Sequence, residues 1–211
     1  MKGTILHLCA DAGSDTKPWK DAGYEVVIVG KDIGVENYHP PANVYGIIAN
    51  PPCTEFSTAR GGGKARNPSK GFVLVKECLR IIGETDSALR FWAIENPARG
   101  ALKDFLGTPQ FTYQPWEYGS PWTKHTALWG RFNIPPKKYT NWEDVPKIPE
   151  LYTRPNRGKP SLAFMHKNHK RFIREFDCFK ADNDGAFRAL CSQKFAQAFY
   201  EANVARQALA K

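Results

Sequence analysis

Residues 47–60, Ile-Ile-Ala-Asn-Pro-Pro-Cys-Thr-Glu-Phe-Ser-Thr-Ala-Arg, constrain this chain more than any other stretch. The apolar run at Val44, Ile47 and Ile48 predicts a short strand. Pro51 and Pro52 end it, because a proline has no N–H to give to a sheet ladder. Cys53 is therefore expected on a stiffened loop just past a strand end. In an open α/β sheet that is where ligands bind, a place for a reactive thiol rather than a packed one. Taken alone, Pro-Pro-Cys also fits an ordinary turn that contains a cysteine.

Upstream, Thr4 to Cys9 reads as a first strand and Ala10 to Thr16 as a small polar turn. Lys17 to Gly23 reads as a short helix, with Asp15 or Thr16 as its cap, Pro18 in its first turn and Gly23 as its stop. Tyr24 to Val29 is a β-branched second strand, followed by Gly30-Lys31-Asp32. Strand, tight turn, helix, strand and acid is the layout of a nucleotide-type βαβ unit, in which turn amides face a cofactor and the acid bonds ribose hydroxyls. An ordinary βα turn has the same outline. No G-x-G-x-x-G is present, and Asp11 and Asp15 would repel a pyrophosphate. S-adenosylmethionine carries a sulfonium and an ammonium, so acids near the turn suit it better than a dinucleotide.

Downstream, Gly61 to Gly71 is a glycine-rich cationic loop, either a flap over a bound polyanion or a solvated linker. Phe72 to Gly83 has a helical period at Val75, Cys78, Leu79 and Ile82. Leu89 to Ile94 reads as another buried strand, stopped by Glu95-Asn96-Pro97, with a helix over Ala98 to Phe105. A carboxyl at the end of an apolar strand is costly without a partner; in a pocket its pKa rises and it can donate to a base nitrogen. Short strands are expected at Phe111 to Tyr113 and Ala127 to Trp129, the latter ended by Gly130, with a cation, Lys124, in the turn between. Pro135 to Pro160 reads as loop and Ala186 to Leu209 as a helix pair. His166 to Arg174 is a basic run interleaved with aromatics, able to line a phosphate backbone or to form a solvated face. His166-x-x-His169 has no second ligand pair nearby, so no metal site is expected.

With 30 Lys plus Arg against 21 Asp plus Glu, the net charge of +9 suits a polyanion such as nucleic acid. Five widely spaced cysteines, none as C-x-x-C, argue for free thiols in a reducing compartment. No signal peptide or membrane span is read. A cytoplasmic protein with no membrane association and no obligate protein partner is expected.

Together these residues resemble the DNA cytosine-5 methyltransferase family, in its small stand-alone form found in phage and prophage genomes. Pro51-Pro52-Cys53 with Phe56-Ser57 resembles the nucleophile motif P-C-x-x-F-S, and Glu95-Asn96 resembles the E-N motif. Gly119-x-Pro121-x-x-Lys124 resembles the region around Q-x-R-x-R, with Lys124 at the first arginine. Leu8 to Ser14 resembles the cofactor motif F-x-G-x-G, and Arg188 to Phe199 faintly resembles a late R-x-L-T segment. The chain departs from the pattern at Asp11 (glycine in the motif), Pro97 (valine), Trp122 (glutamine) and Thr126 (the second arginine).

The resemblance implies a Rossmann-like S-adenosylmethionine-dependent methyltransferase fold, α/β, with a mostly parallel sheet and helices on both faces. It implies one domain over residues 1–211, with 131–185 as a small loop-rich lobe in place of a target-recognition domain. Cys53, Glu95 and Lys124 are the implied catalytic residues, with the Cys53 thiol ionised. Leu8, Ala10, Asp11, Ala12, Gly13, Ser14, Asp32, Ile33, Asn50 and Pro51 would hold S-adenosylmethionine. Ser57, Arg60, Lys64, Arg66, Lys167, Lys170 and Arg171 would contact double-stranded DNA with one base flipped out. Two other readings fit the residues. Asn50-Pro51-Pro52 also suits an amino-methyltransferase, although Cys53 replaces that motif's aromatic residue. A catalytically silent DNA-binding relic would explain the departures.

Overall fold

The computed structural model describes residues 2–10, 12–57, 67–85, 89–153 and 158–204. Strands β1 (Thr4–Leu8), β2 (Glu25–Val29), β3 (Val44–Ala49), β4 (Phe91–Pro97), β5 (Phe111–Tyr113) and β6 (Thr126–Arg131) form one six-stranded sheet in the order β2-β1-β3-β4-β6-β5. The first four run parallel; β4–β6 and β6–β5 are antiparallel. The sheet is thus mixed, not mostly parallel as expected. Parallel neighbours need a long crossover, usually a helix. Between β4 and β5 the only helix is the four-residue α3 (Lys103–Leu106), and β5 and β6 are joined without an α-helix.

Period-2 alternation sorts side chains to the two faces. Leu6 and Leu8 of β1, Ile47 and Ala49 of β3 and Ile94 of β4 pack against Val75, Cys78, Ile81 and Ile82 of α2 (Pro68–Thr85). Ile5, Ile48, Phe91 and Ala93 pack on the opposite face, against Trp19 of α1 (Lys17–Asp21) and Phe195 and Phe199 of α5 (Gln193–Val204). The same alternation carries His7, Asn50 and Glu95 to the α1/α5 face, two residues beyond Ile5, Ile48 and Ala93. Gly46 is a glycine because the ring of Phe91 crosses it: a Cβ there would lie 2.2 Å from Phe91 Cε1.

Several elements differ from the sequence expectation. The strand at Glu95 does not stop there but runs through Asn96 and Pro97, because β6 pairs with all three. Gly130 sits inside β6 rather than ending it. Residues 98–102 are turns, so the helix expected from Ala98 is only α3. Thr16 occupies the cap position of α1 but makes no capping bond; its hydroxyl goes elsewhere. The C-terminal pair is α4 (Asp184–Ala189) and α5, and the end of the expected helix lies outside the described residues.

From Phe132 to Asn183 the described chain contains only short 3-10 turns. It has its own core, in which Leu151, Leu162, Met165, Ile173 and Phe176 surround Trp122. Trp122 is 1% exposed and packs against Phe176, so the departure at this position anchors the lobe. No helix among the described residues is long and apolar enough to cross a membrane.

Candidate active site

The polar groups meet at the carboxyl ends of β1, β3 and β4. The order β2-β1-β3-β4 reverses direction between β1 and β3, which opens a crevice at their carboxyl ends. Beyond β3, Asn50 donates its N–H to Leu8 O (2.9 Å), the chain turns at the buried Pro51, and Cys53 opens a 3-10 turn with its side chain exposed. One hydrogen bond and one packed ring hold this loop in place. Asn96 Nδ2 donates to Pro51 O at 2.9 Å, and Phe56 is fully buried beneath α2. The E-N pair therefore divides its work: Asn96 clamps the cysteine loop from one face of β4 and Glu95 serves the other.

Glu95 lies between two donors. Asn50 Nδ2 is 3.4 Å from its Oε2, and Lys124 Nζ is 3.9 Å from its Oε1. Burial lifts the Glu95 carboxyl above the usual carboxylate range, although Lys124 and Asn50 pull it down. Lys124 is held by the carbonyls of Ala189 and Leu190, both at 3.3 Å. Burial alone would lower its pKa, but the negative fields of Glu95 and Asp15 raise it overall, so it stays charged. Cys53 shares the field of this pair. Desolvation first, and Glu95 second, hold its thiol above the ordinary value, while Lys124 opposes them. The ionised thiol expected from sequence is thus a protonated one, because desolvation and a nearby carboxylate outweigh one ammonium.

The turn after β1 forms the adjacent wall. Cys9 adopts a left-handed backbone (φ 55°) that ends the strand, and Gly13 (φ +67°) is closed over Ile28, whose Cδ1 a Cβ would meet at 2.9 Å. Ser14 is buried and already engaged: its hydroxyl accepts the Cys191 N–H (3.0 Å) and its carbonyl accepts from Gln193 (2.8 Å). Leu8 is fully buried in the core. Ala10 is buried, while Ala12, Asp32 and Ile33 are exposed at the same sheet edge, Ile33 by 57% and the neighbouring Ile28 by 36%.

No family model matches the sequence, and no curated relative matches it.

Of the other residues singled out from sequence, Ser57 is half-buried beside the cysteine turn. Asp11, Arg60, Lys64 and Arg66 lie outside the described residues. Lys167, Lys170 and Arg171 share one 3-10 helix of the lobe (Lys167–Phe172). Lys167 and Lys170 bond the carbonyls of Asp182 and Asp177, and Arg171 lies over Phe172. His169 bonds the backbone of His166, whose ring faces Asp184 at 3.5 Å. Among the described residues no group of three or more His, Cys, Asp or Glu is placed to hold a metal.

Sequence reasoning missed His7 and gave Asp15 and Thr16 no site role. His7 is 1% exposed in β1 and contacts Thr16, Asn50 and Asp15. Its signal was available: a histidine at an inward position of an otherwise apolar strand, in phase with Asn50 and Glu95.

Proposed function

We propose that this protein transfers a methyl group from S-adenosylmethionine to carbon 5 of cytosine in DNA, through a transient bond from Cys53. The observation that carries this reading is the arrangement at the ends of β3 and β4: an exposed Cys53 on the turn past β3, and the Glu95 carboxyl of β4 3.9 Å from the Lys124 ammonium. Carbon 5 of cytosine is a poor nucleophile. Addition of the Cys53 thiolate to carbon 6 breaks the 5,6 double bond and makes carbon 5 enamine-like. A protonated Glu95 donates to ring nitrogen 3 as the thiolate adds, and Lys124 holds the exocyclic oxygen. With the methyl on carbon 5, loss of the carbon-5 proton to solvent, return of the nitrogen-3 proton to Glu95 and expulsion of the thiolate restore the ring. The Cys53 thiol gives its proton to solvent before the thiolate adds, and takes the anionic form again on expulsion. Protonating Glu95, or sharing its charge with the base, removes the field that holds the thiol up.

The residues fit S-adenosylmethionine. Ile28 and Ile33 offer an apolar shelf for an adenine, Asp32 lies beside it for ribose hydroxyls, and Asp15 offers a carboxyl to a cationic ligand. Ala10, Ala12, Gly13, Asp32, Ile33, Asn50 and Pro51 are the residues that would hold it. When bound, the cofactor supplies an electrophilic methyl. The reversal of strand order between β1 and β3 supports a Rossmann-like assignment of the mixed sheet. DNA is the favoured substrate because the chain carries +9 and the lobe presents Lys167, Lys170 and Arg171. A base in a duplex must be flipped out, at roughly a few kcal/mol, which phosphate contacts offset.

The test is incubation with labelled S-adenosylmethionine and mixed-sequence DNA, followed by nucleoside mass spectrometry and tritium release from carbon 5. 5-Methylcytosine with tritium release is expected. N4-methylcytosine or N6-methyladenine would make the protein an amino-methyltransferase. No product, with no calorimetric binding of the cofactor, would make it a silent relic.

A further inference from the structure

We infer that His7 is a positioning residue of this site: acting through Asn50, it sets which oxygen of Glu95 carries the proton delivered to the substrate. The role of the proton rests on the methyl-transfer reading above; the hydrogen-bond order does not.

A histidine buried in a strand is costly unless both ring nitrogens are satisfied. They are. Nδ1 lies 3.1 Å from Thr16 Oγ1 and Nε2 lies 2.8 Å from Asn50 Oδ1. Burial keeps the ring neutral, against the pull of Asp15 and Asn50, so one nitrogen donates and the other accepts. Asn50 decides which. The far end of its amide faces Asp15 Oδ1 and Glu95 Oε2, each at 3.4 Å. Both are carboxyl oxygens, so the amide must turn its two hydrogens toward them and its oxygen toward His7. Nε2 then carries the hydrogen and Nδ1 accepts from the Thr16 hydroxyl. The Gly13 carbonyl, 3.3 Å from that hydroxyl, is the longer alternative.

The bonds run in one direction, from Thr16 to His7 to Asn50 to the two carboxyls. Glu95 Oε2 is therefore occupied as an acceptor, and the hydrogen of a neutral Glu95 sits on Oε1. Lys124 does not compete for Oε1, because at 3.9 Å it is beyond hydrogen-bond reach and donates to Ala189 and Leu190 instead. Removing His7 frees the Asn50 amide to rotate, and the Glu95 proton then has no fixed side.

Long-range ¹H–¹⁵N spectra at pH 7, with His7 assigned by its loss in His7→Gln, should show a neutral ring with the hydrogen on Nε2. An imidazolium or the Nδ1–H form overturns the inference whatever the activity. In single-turnover assays on cytosine-containing DNA at saturating S-adenosylmethionine, His7→Leu should slow methyl transfer by about 10²-fold, the cost of misplaced reacting groups. His7→Gln, whose amide can still donate to Asn50, should recover most of that loss. Equal rates in His7→Leu and the wild type, or no recovery in a folded His7→Gln, also overturn it. A wild type that transfers no methyl to cytosine overturns the functional reading instead, and the tautomer then decides the hydrogen-bond order by itself.

Discussion

Replacing Lys124 with methionine keeps most of the unbranched side chain and removes its charge, which gives a perturbation of known sign at two groups. Lys124 Nζ lies 3.9 Å from Glu95 Oε1. At that distance two unit charges interact by about 4 kcal/mol when the effective dielectric is near 20. The side chains are 25% and 15% exposed, so solvent screening leaves roughly half of that, about 2 kcal/mol, or about a thirtyfold change in a protonation equilibrium. Loss of the cation favours the neutral form of both Glu95 and Cys53. In Lys124→Met the carboxyl ¹³C titration of Glu95 should move to higher pH, and alkylation of Cys53 by iodoacetamide at neutral pH should slow by roughly tenfold, less than the full Coulomb factor because Cys53 is exposed. Peptide mass spectrometry reads the alkylation site directly. A Glu95 midpoint that stays put or falls, or alkylation that speeds up, would refute the reasoning, since the ammonium would then not be acting on these groups.

Glu95→Gln should shift Cys53 the opposite way and speed its alkylation at neutral pH, while cutting methyl transfer by at least about 10²-fold; the two effects together separate an acid role from mere charge. Cys53→Ser should abolish turnover yet keep calorimetric binding of S-adenosylmethionine. Gly46→Ala should destabilise by about 1–3 kcal/mol, as overpacking against Phe91, read as a lowered Tm in calorimetry. The logarithm of DNA affinity should fall linearly with the logarithm of salt concentration, and Arg171→Ala should reduce that slope by about one; a flat dependence would point to a free nucleotide. His7 has a lowered pKa in the fold. The stability this contributes is fully present above the ordinary histidine value of about 6.5 and is lost as pH falls through the folded value. The urea midpoint of His7→Gln should therefore fall less between pH 7 and pH 5 than that of the wild type.

The elements legible in the sequence were those whose signals are local. Strand ends at proline, the helical period over Val75 to Ile82 and the β-branched run before Val29 need no partner to be read. Cys53 and Glu95 could be singled out because each follows an apolar strand, and chain order is enough to put both at carboxyl ends. What the sequence alone determined is this list of elements and the two reactive groups at their mouths. Tertiary pairing decided the rest. Glu95 remains inside a strand because β6 lies antiparallel beside it, and no local signal encodes a partner more than 30 residues away. Ser14, expected at the cofactor, is bound by Cys191 and Gln193 from the far end of the chain. The charge state of Cys53 followed from its desolvation and from the opposed fields of a carboxyl and an ammonium that folding brings near it. His7 left a trace in the sequence, as a histidine in phase with Asn50 and Glu95 in an apolar strand, but its partners did not: they meet only when three strand ends and one turn converge. Hydrophobic periodicity is a property of neighbouring residues, whereas proton affinity and hydrogen-bond direction depend on groups that only folding brings within a few ångströms.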